Sequence, residues 1–222
     1  MIEELLPACV ACAERRTDSY DALLFAEEQA LIANSVEKRR NEFTTARVCA
    51  REALQTLGIA PAPILSGERG EPLWPSQVLG TITHCEAYRG AAVARAEEVL
   101  ALGIDAEPNA ALPDGLIADI ARPEEIAHLQ RLQAHTPTVH WDRLLFSAKE
   151  SVYKAWFPLT RRWLGFEDAT VAIDPDAGTF HAQLLLAPVP TAGGPLSAFS
   201  GRWMQRGGIL LSAIAWTRPP AR

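Results

Sequence analysis

Two stretches of this chain carry apolar residues at helical spacing, and each is followed by shorter segments with the density of β-strands. The clearer one runs from Trp141 to Phe157, where Leu144 or Leu145, Ala148, Val152, and Ala155 or Trp156 fall about one turn apart. Pro158 lacks an N–H and biases its predecessor away from helix, so the pattern predicts that the helix stops there. A second helix is expected from Asn34 to Leu57, burying Phe43, Ala46, Ala50, Ala53 or Leu54, and Leu57. Asn34-x-x-Glu37 can form its capping box, and Gly58 stands where a left-handed residue is wanted. Residues 1–33 are acidic and alanine-rich, and are expected to cover the body loosely.

The Pro- and Gly-rich run over 59–76 keeps Ile64, Leu65, Leu73 and Trp74, so it reads as a strand piece and turns rather than a linker. Strands are then predicted over Val78–Thr83, Gly90–Ala94 and Val99–Glu107, the last closed by Pro108. A helix around Pro123–Leu132 precedes the long helix. Strands near Ala169–Ile173, Thr179–Leu186, Ser200–Trp203 and Ile209–Ala215 follow it. Helix-then-strands occurs twice, which predicts an α+β fold of two similar halves, residues 1–104 and 105–222, related by a pseudo-two-fold axis. Each half would pack a small, mainly antiparallel sheet on a long helix, with a ligand cleft between the halves near residues 104–108.

Composition narrows the function. The chain has 222 residues, 48% of them hydrophobic, and a formal net charge of −6. No apolar run approaches the roughly 20 residues that span a bilayer, and the acidic start at Met1–Leu5 is not a signal peptide, so a cytoplasmic protein away from membranes is expected. An acidic chain is poorly suited to long nucleic acid, whose phosphates need a basic face, but it can hold a small anion with a few local cations. Cys9-x-x-Cys12 has no second close pair among Cys49 and Cys85, so reduced thiols are expected rather than a zinc site.

Candidate chemistry lies at three places. Asp105 and Glu107 project from one face of a strand, where two carboxylates repel unless a hard cation lies between them. Glu150 and Lys154, four residues apart, share a helix face with Phe146, Tyr153 and Phe157. Alone, that pair reads as an ordinary solvated ion pair; beside Asp105 and Glu107 it offers a third carboxylate. The first long helix carries Lys38, Arg39, Arg40, Arg47 and Arg51, either a solvated basic face or a grip on an anion. His84 falls at a strand end next to a turn. A metal-dependent nuclease or phosphohydrolase, or a non-catalytic binding or scaffold protein, would also use such residues.

Gly103-Ile-Asp105-Ala-Glu107 followed by Phe146-Ser-Ala-Lys149-Glu150-Ser-Val-Tyr153-Lys154-Ala-Trp156 resembles the two-part signature of 4′-phosphopantetheinyl transferases of the large, Sfp-like class. Thr81-Ile82-Thr83-His84-Cys85 resembles the family's third motif and the arginine helix its upstream basic segment, so that the likeness runs from about Val36 to Ala215. It is greatest to actinobacterial members that serve fatty-acid or polyketide synthases and peptide synthetases. The resemblance implies transfer of the 4′-phosphopantetheine arm of coenzyme A to a serine of apo acyl or peptidyl carrier proteins, with release of adenosine 3′,5′-bisphosphate. It implies Mg²⁺ (or Mn²⁺) on Asp105, Glu107 and Glu150, with Glu150 as proton acceptor and Lys154 and His84 against developing phosphate charge. Arg39, Arg47, Thr83 and Lys149 would contact coenzyme A, the loop of Arg69, Gly70, Glu71 and Pro72 would border its adenine and 3′-phosphate, and Phe146, Tyr153, Trp163 and Leu164 would line a slot for the arm. Arg161 and Arg162 are the candidate docking patch for an acidic carrier, and a single chain would build the whole cleft as a monomer. The chain departs from the pattern at Glu71 and Ser66, where many relatives carry lysine, and Arg69 is expected to supply that cation.

Overall fold

The computed structural model describes residues 1–19 and 22–219. Among these residues, ten strands and five α-helices follow one another as β1 (Ala11–Arg15), α1 (Ala26–Leu31), α2 (Glu37–Thr56), β2 (Val78–Cys85), β3 (Tyr88–Arg95), β4 (Val99–Pro108), α3 (Ile117–Ile120), α4 (Pro123–His135), α5 (Trp141–Thr160), β5 (Ala169–Asp174), β6 (Thr179–Leu184), β7 (Val189–Thr191), β8 (Gly194–Leu196), β9 (Ala198–Arg206) and β10 (Ile209–Thr217). The paired strands form antiparallel sheets of order β1-β3-β2 and β4-β10-β9-β6-β5, with β7-β8 as a separate hairpin. No helix among the described residues is long and apolar enough to cross a membrane.

The patterned face of α2 lies on the three-stranded sheet, where Cys49, Ala50, Ala53 and Leu54 pack with Ile64, Val78, Ala91 and Val93. That of α5 lies on the five-stranded sheet, with Leu144, Leu145, Ala148, Val152 and Trp156 against Leu210, Ile214, Phe180 and Val171. A third cluster joins the two, bringing Ile2, Leu5, Leu6 and Val10 against Tyr88, Leu102, Ile104, Ala106, Ile209 and Leu211. The first residues are therefore not a loose cover: they fill the core, and β1 pairs with β3 in register. A boundary at residues 104/105 falls inside β4.

Several element ends differ from expectation for local reasons. Helix α2 starts at Glu37 with Val36 as its uncapped N-cap, so Asn34 and Glu37 make no capping box. It does end as foreseen, with Gly58 at φ 72° and the N–H groups of Gly58 and Ile59 returning to the carbonyls of Gln55 and Leu54. Helix α5 runs through Pro158 to Thr160. Its last turn is held by bonds that need no N–H at residue 158: Thr160 Oγ1 to the Trp156 carbonyl, and Trp156 Nε1 to the Arg162 carbonyl. The 59–76 run forms only a bridge between Ser66 and Pro72. The β7-β8 hairpin, turning at Ala192-Gly193, was not anticipated.

Candidate active site

Chain geometry brings the end of β4 beside the middle of α5. The helix rests on the strand at Gly103, where an added Cβ would press on the Ser151 carbonyl and come within 2.8 Å of the Ala155 nitrogen. Glycine allows this backbone-to-backbone approach. On the strand's far side, Ser212 of β10 donates to the Ser147 carbonyl at 2.9 Å while the two hydroxyls meet at 2.8 Å, fixing the helix's position along the sheet.

Strand alternation puts Asp105 and Glu107 on one face, as expected. Asp105 is 5% exposed; its Oδ1 accepts from Lys154 Nζ at 2.7 Å and from Thr83 Oγ1 at 3.2 Å, and its Oδ2 is buried without a partner among the described residues. Lys154 also donates to the Ile104 carbonyl at 3.2 Å. Thr83 Oγ1 in turn accepts from the Ala106 N–H, so its hydroxyl proton is free for Asp105. Glu107 meets Arg143 Nη1 at 3.0 Å, yet burial and the neighbouring Asp105 push its carboxyl up to about 7. Burial and then Asp105 also raise Glu150. Keeping Glu107 ionised at neutral pH thus costs roughly 3 kcal/mol relative to water.

These carboxylates feel one another, but they do not form a ligand shell: among the described residues no three His, Cys, Asp or Glu side chains are gathered to hold a metal ion. Glu107 is turned to Arg143, whose Nε and Nη2 are spent on the carbonyls of Ala110 and Ala111. The donor set nevertheless fits a hard divalent cation, because Asp105 has an unpartnered buried oxygen and all three acids are oxygen donors whose mutual repulsion a cation relieves.

Two cavities meet at Glu150 and Tyr153. The first, of about 250 Å³, is lined by Arg69, Glu71, Pro72, Thr81 and Lys154 as well as these two residues. The second, of about 280 Å³, is lined by them and by Trp163, Leu164 and Phe166. Tyr153 stacks on Phe157 and meets Trp163 edge-on at 5.2 Å, while Phe146 packs on Phe166 behind the second cavity rather than on its wall. A larger cavity of about 780 Å³ opens on the outer face of the five-stranded sheet, near Leu5, His181 and Arg202, and takes none of these residues.

Beside the carboxylates, Arg39 donates to His84 Nε2 at 2.8 Å, while His84 Nδ1 faces Glu42 at 3.6 Å. Burial, then Arg39, lower the His84 pKa, so the ring is neutral at pH 7 with its Nε2 lone pair toward the arginine. Arg47 is buried, its Nε donating to the Ile64 carbonyl at 2.9 Å and its guanidinium lying 4.1 Å from the Phe43 ring; burial lowers its pKa to about 10.

Matches to known families bear on this arrangement. The description "4′-phosphopantetheinyl transferase N-terminal domain" fits residues 27–94, and "4′-phosphopantetheinyl transferase superfamily" fits residues 101–191. A 4′-phosphopantetheinyl transferase, Svp, of Streptomyces mobaraensis is 53% identical over 99% of this chain and 90% of its own length. PptT of Mycobacterium tuberculosis is 47% identical over 96% and 97%. The chain belongs to the 4′-phosphopantetheinyl transferase superfamily. Members transfer the phosphopantetheine group of coenzyme A to carrier proteins, and this enzyme does the same. Enterobactin synthase component D of Salmonella typhi is a more distant relative, 29% identical over 90% of the chain and 86% of its own length.

Not every charge expected in the transferase's site is free there. Lys149 lines the second cavity but is only 3% exposed. Its ammonium is fully engaged by Glu125 Oε2 at 2.8 Å and by the carbonyls of Ile120, Phe166 and Ala169. Burial lowers its pKa despite the pairing. Arg161, expected in a carrier-docking patch, bonds Glu71 at 2.8 Å and keeps its side chain 63% exposed. Conversely, Thr83 as a hydrogen-bond donor to Asp105, Arg143, and Glu28 behind the arginine helix were not singled out for those parts. Their partners lie 22 to 36 residues away, a distance that helical or strand periodicity does not register.

Proposed function

We propose that Glu150 is the proton acceptor and Lys154 the phosphate-stabilising cation of the transfer, working at the junction of the two cavities. The observation that carries the reading is that Glu150 lines both: one holds the cations of Arg69 and Lys154, the other the rings of Trp163 and Phe166. Coenzyme A has matching ends, an anionic nucleotide and a pantetheine arm, with the scissile pyrophosphate between them. A carrier serine hydroxyl attacks the phosphorus bearing the arm. Its proton passes to Glu150, made more basic by burial and by the neighbouring Asp105, and the P–O bond to adenosine 3′,5′-bisphosphate breaks. Arg39, Arg47 and the Arg69–Pro72 loop hold the nucleotide, with His84 beside Arg39; Thr83 orients Asp105. Tyr153, Trp163 and Leu164 hold the arm, and Phe146 backs it through Phe166. Asp105 and Glu150, with Glu107 if it leaves Arg143, would hold Mg²⁺ or Mn²⁺, which supplies charge neutralisation at the pyrophosphate.

We also infer that the two sheets with their helices are related as pseudo-two-fold halves. Support comes from α2 lying on one antiparallel sheet and α5 on the other. The test is mass spectrometry of an apo carrier protein incubated with coenzyme A, Mg²⁺ and the enzyme. The wild type adds one phosphopantetheine and Glu150→Gln falls below a hundredth of that rate; retention of more than a tenth would remove Glu150 from its role.

A further inference from the structure

The Arg69–Pro72 segment joins the two sides of the cleft. Within it the Glu71 carboxylate is only 13% exposed. One oxygen, Oε2, accepts the Arg69 N–H at 3.0 Å; the other, Oε1, accepts from Arg161 Nη1 at 2.8 Å. Room for the carboxylate is left by Gly67, where a Cβ would run into it. The tight loop is closed by Gly67 N–H to the Glu71 carbonyl at 2.7 Å and Gly70 N–H to the Gly67 carbonyl at 3.0 Å.

Arg161 is as particular as its partner. It is the residue that ends α5, in the left-handed conformation at φ 55° and ψ 24°, where glycine is usual and other side chains are strained. Its guanidinium also lies 5.8 Å from the Phe157 ring. Two residues on, the Trp163 ring lies 5.8 Å from the Arg69 guanidinium, a second crossing between the same two segments. Glu71 borders both the 250 Å³ cavity that contains Glu150 and Lys154 and a neighbouring cavity of about 430 Å³ lined by Gly67, Arg69 and Arg161.

We propose that Glu71 and Arg161 are a positioning pair that holds the Arg69–Pro72 loop against the end of the catalytic helix, setting how the nucleotide end of coenzyme A is bound. The proposal rests on the assignment of that loop to the nucleotide. Glu71 itself touches no phosphate: a carboxylate there repels one, and its contribution is to fix Arg69 and the loop backbone. That makes the sign of its effect diagnostic. Removing a carboxylate beside a polyanion should tighten binding by Coulomb's law alone; releasing the loop should weaken it.

Steady-state kinetics with coenzyme A and an apo carrier, for wild type, Glu71→Gln, Arg161→Gln and the double variant, separates these outcomes. Glutamine at 71 keeps an acceptor for the Arg69 N–H and deletes only the ion pair. Both single variants are expected to raise KM for coenzyme A about three- to fivefold with kcat within twofold, the loss of uniform binding. The double variant should be no worse than either single one, since both act through one contact. Arg161→Gly tests the structural alternative: it relieves the left-handed strain and should leave Tm unchanged or raised while KM rises as in Arg161→Gln. A KM for Glu71→Gln equal to or below the wild-type value, additive effects in the double variant, or a drop in Tm for Arg161→Gly with unchanged KM would each overturn the proposal. Absence of carrier loading by the wild type would instead overturn the transferase reading itself.

Discussion

At the scale of single residues, this site depends on where each charge finds its partner. Lys149 and Glu150 are adjacent and both border the second cavity, yet the ammonium of one is held by four acceptors while the other also borders the first cavity. Lys149 ties α5 to Glu125, whose carboxylate also accepts the N–H groups of Arg122 and Val171, so the pair holds α4, α5 and β5 together. Breaking one side of such a buried pair costs about 3 kcal/mol or more, and Lys149→Met should therefore lower Tm by roughly 6–12 °C while leaving KM for coenzyme A within twofold. Thermal melts beside kinetics decide it; a tenfold rise in KM without a change in Tm would return Lys149 to the phosphates. Arg47 is the opposite case. Its Nε is fixed by the Ile64 carbonyl, and Glu28, fully buried, organises the same corner by accepting from Arg51, Phe25 and Ile64. Arg47→Ala should raise KM for coenzyme A about tenfold but not for 3′-dephospho-coenzyme A, if its remaining N–H groups meet the 3′-phosphate; equal effects on both would move the contact elsewhere. Periodicity could place Glu150 and Lys154 on one face and Asp105 with Glu107 on another. It could not say that Lys149 turns inward, since that depends on Glu125 from a different helix.

At the scale of elements, the chemistry depends on how closely α5 approaches β4. Gly103 is the contact point, with the Ser151 carbonyl and Ala155 nitrogen where a side chain would begin. Overpacking of this kind costs about 1–3 kcal/mol, and a helix displaced from the strand would separate Lys154 from Asp105, now at 2.7 Å. Gly103→Ala is expected to lower kcat at least tenfold while KM for coenzyme A changes less; an unchanged kcat would mean the sheet yields instead of the helix. The long helices and the strands were readable because their buried stripes repeat at 3.6 or 2 residues, and their observed ranges differ from expectation mostly at the ends. Misreadings arose where tertiary contacts outweigh local signals. Pro158 is a strong local stop, but the last turn around it is secured by Thr160 and by Trp156 reaching Arg162. Residues 1–10 lack a regular pattern because their apolar side chains serve as plugs for a core built by others.

At the scale of the whole molecule, that plug decides whether the halves are separable. The cluster around Tyr88 takes residues from the chain start, from β3 and β4, and from β9 and β10, and β4 itself is paired to β10 along its length. A cut at 104/105 would sever β4 between Ile104 and Asp105, expose Ile104, Ala106 and Leu211, and divide Asp105 from its Thr83 partner. Each half keeps the cluster on its own long helix, but the shared one is cut through. A core cluster shared by both halves couples their unfolding, so urea titration should give one transition, coincident by far-ultraviolet circular dichroism and tryptophan fluorescence. The fluorescence probe reports chiefly on residues 105–222, where five of the six tryptophans lie, whereas the dichroism also sees α2 and the first sheet. A first dichroism step that leaves the fluorescence unchanged would mean that the arginine helix and its sheet unfold on their own. The catalytic strand would then belong to the second half alone, and the cleft would be a junction between two independently folded units.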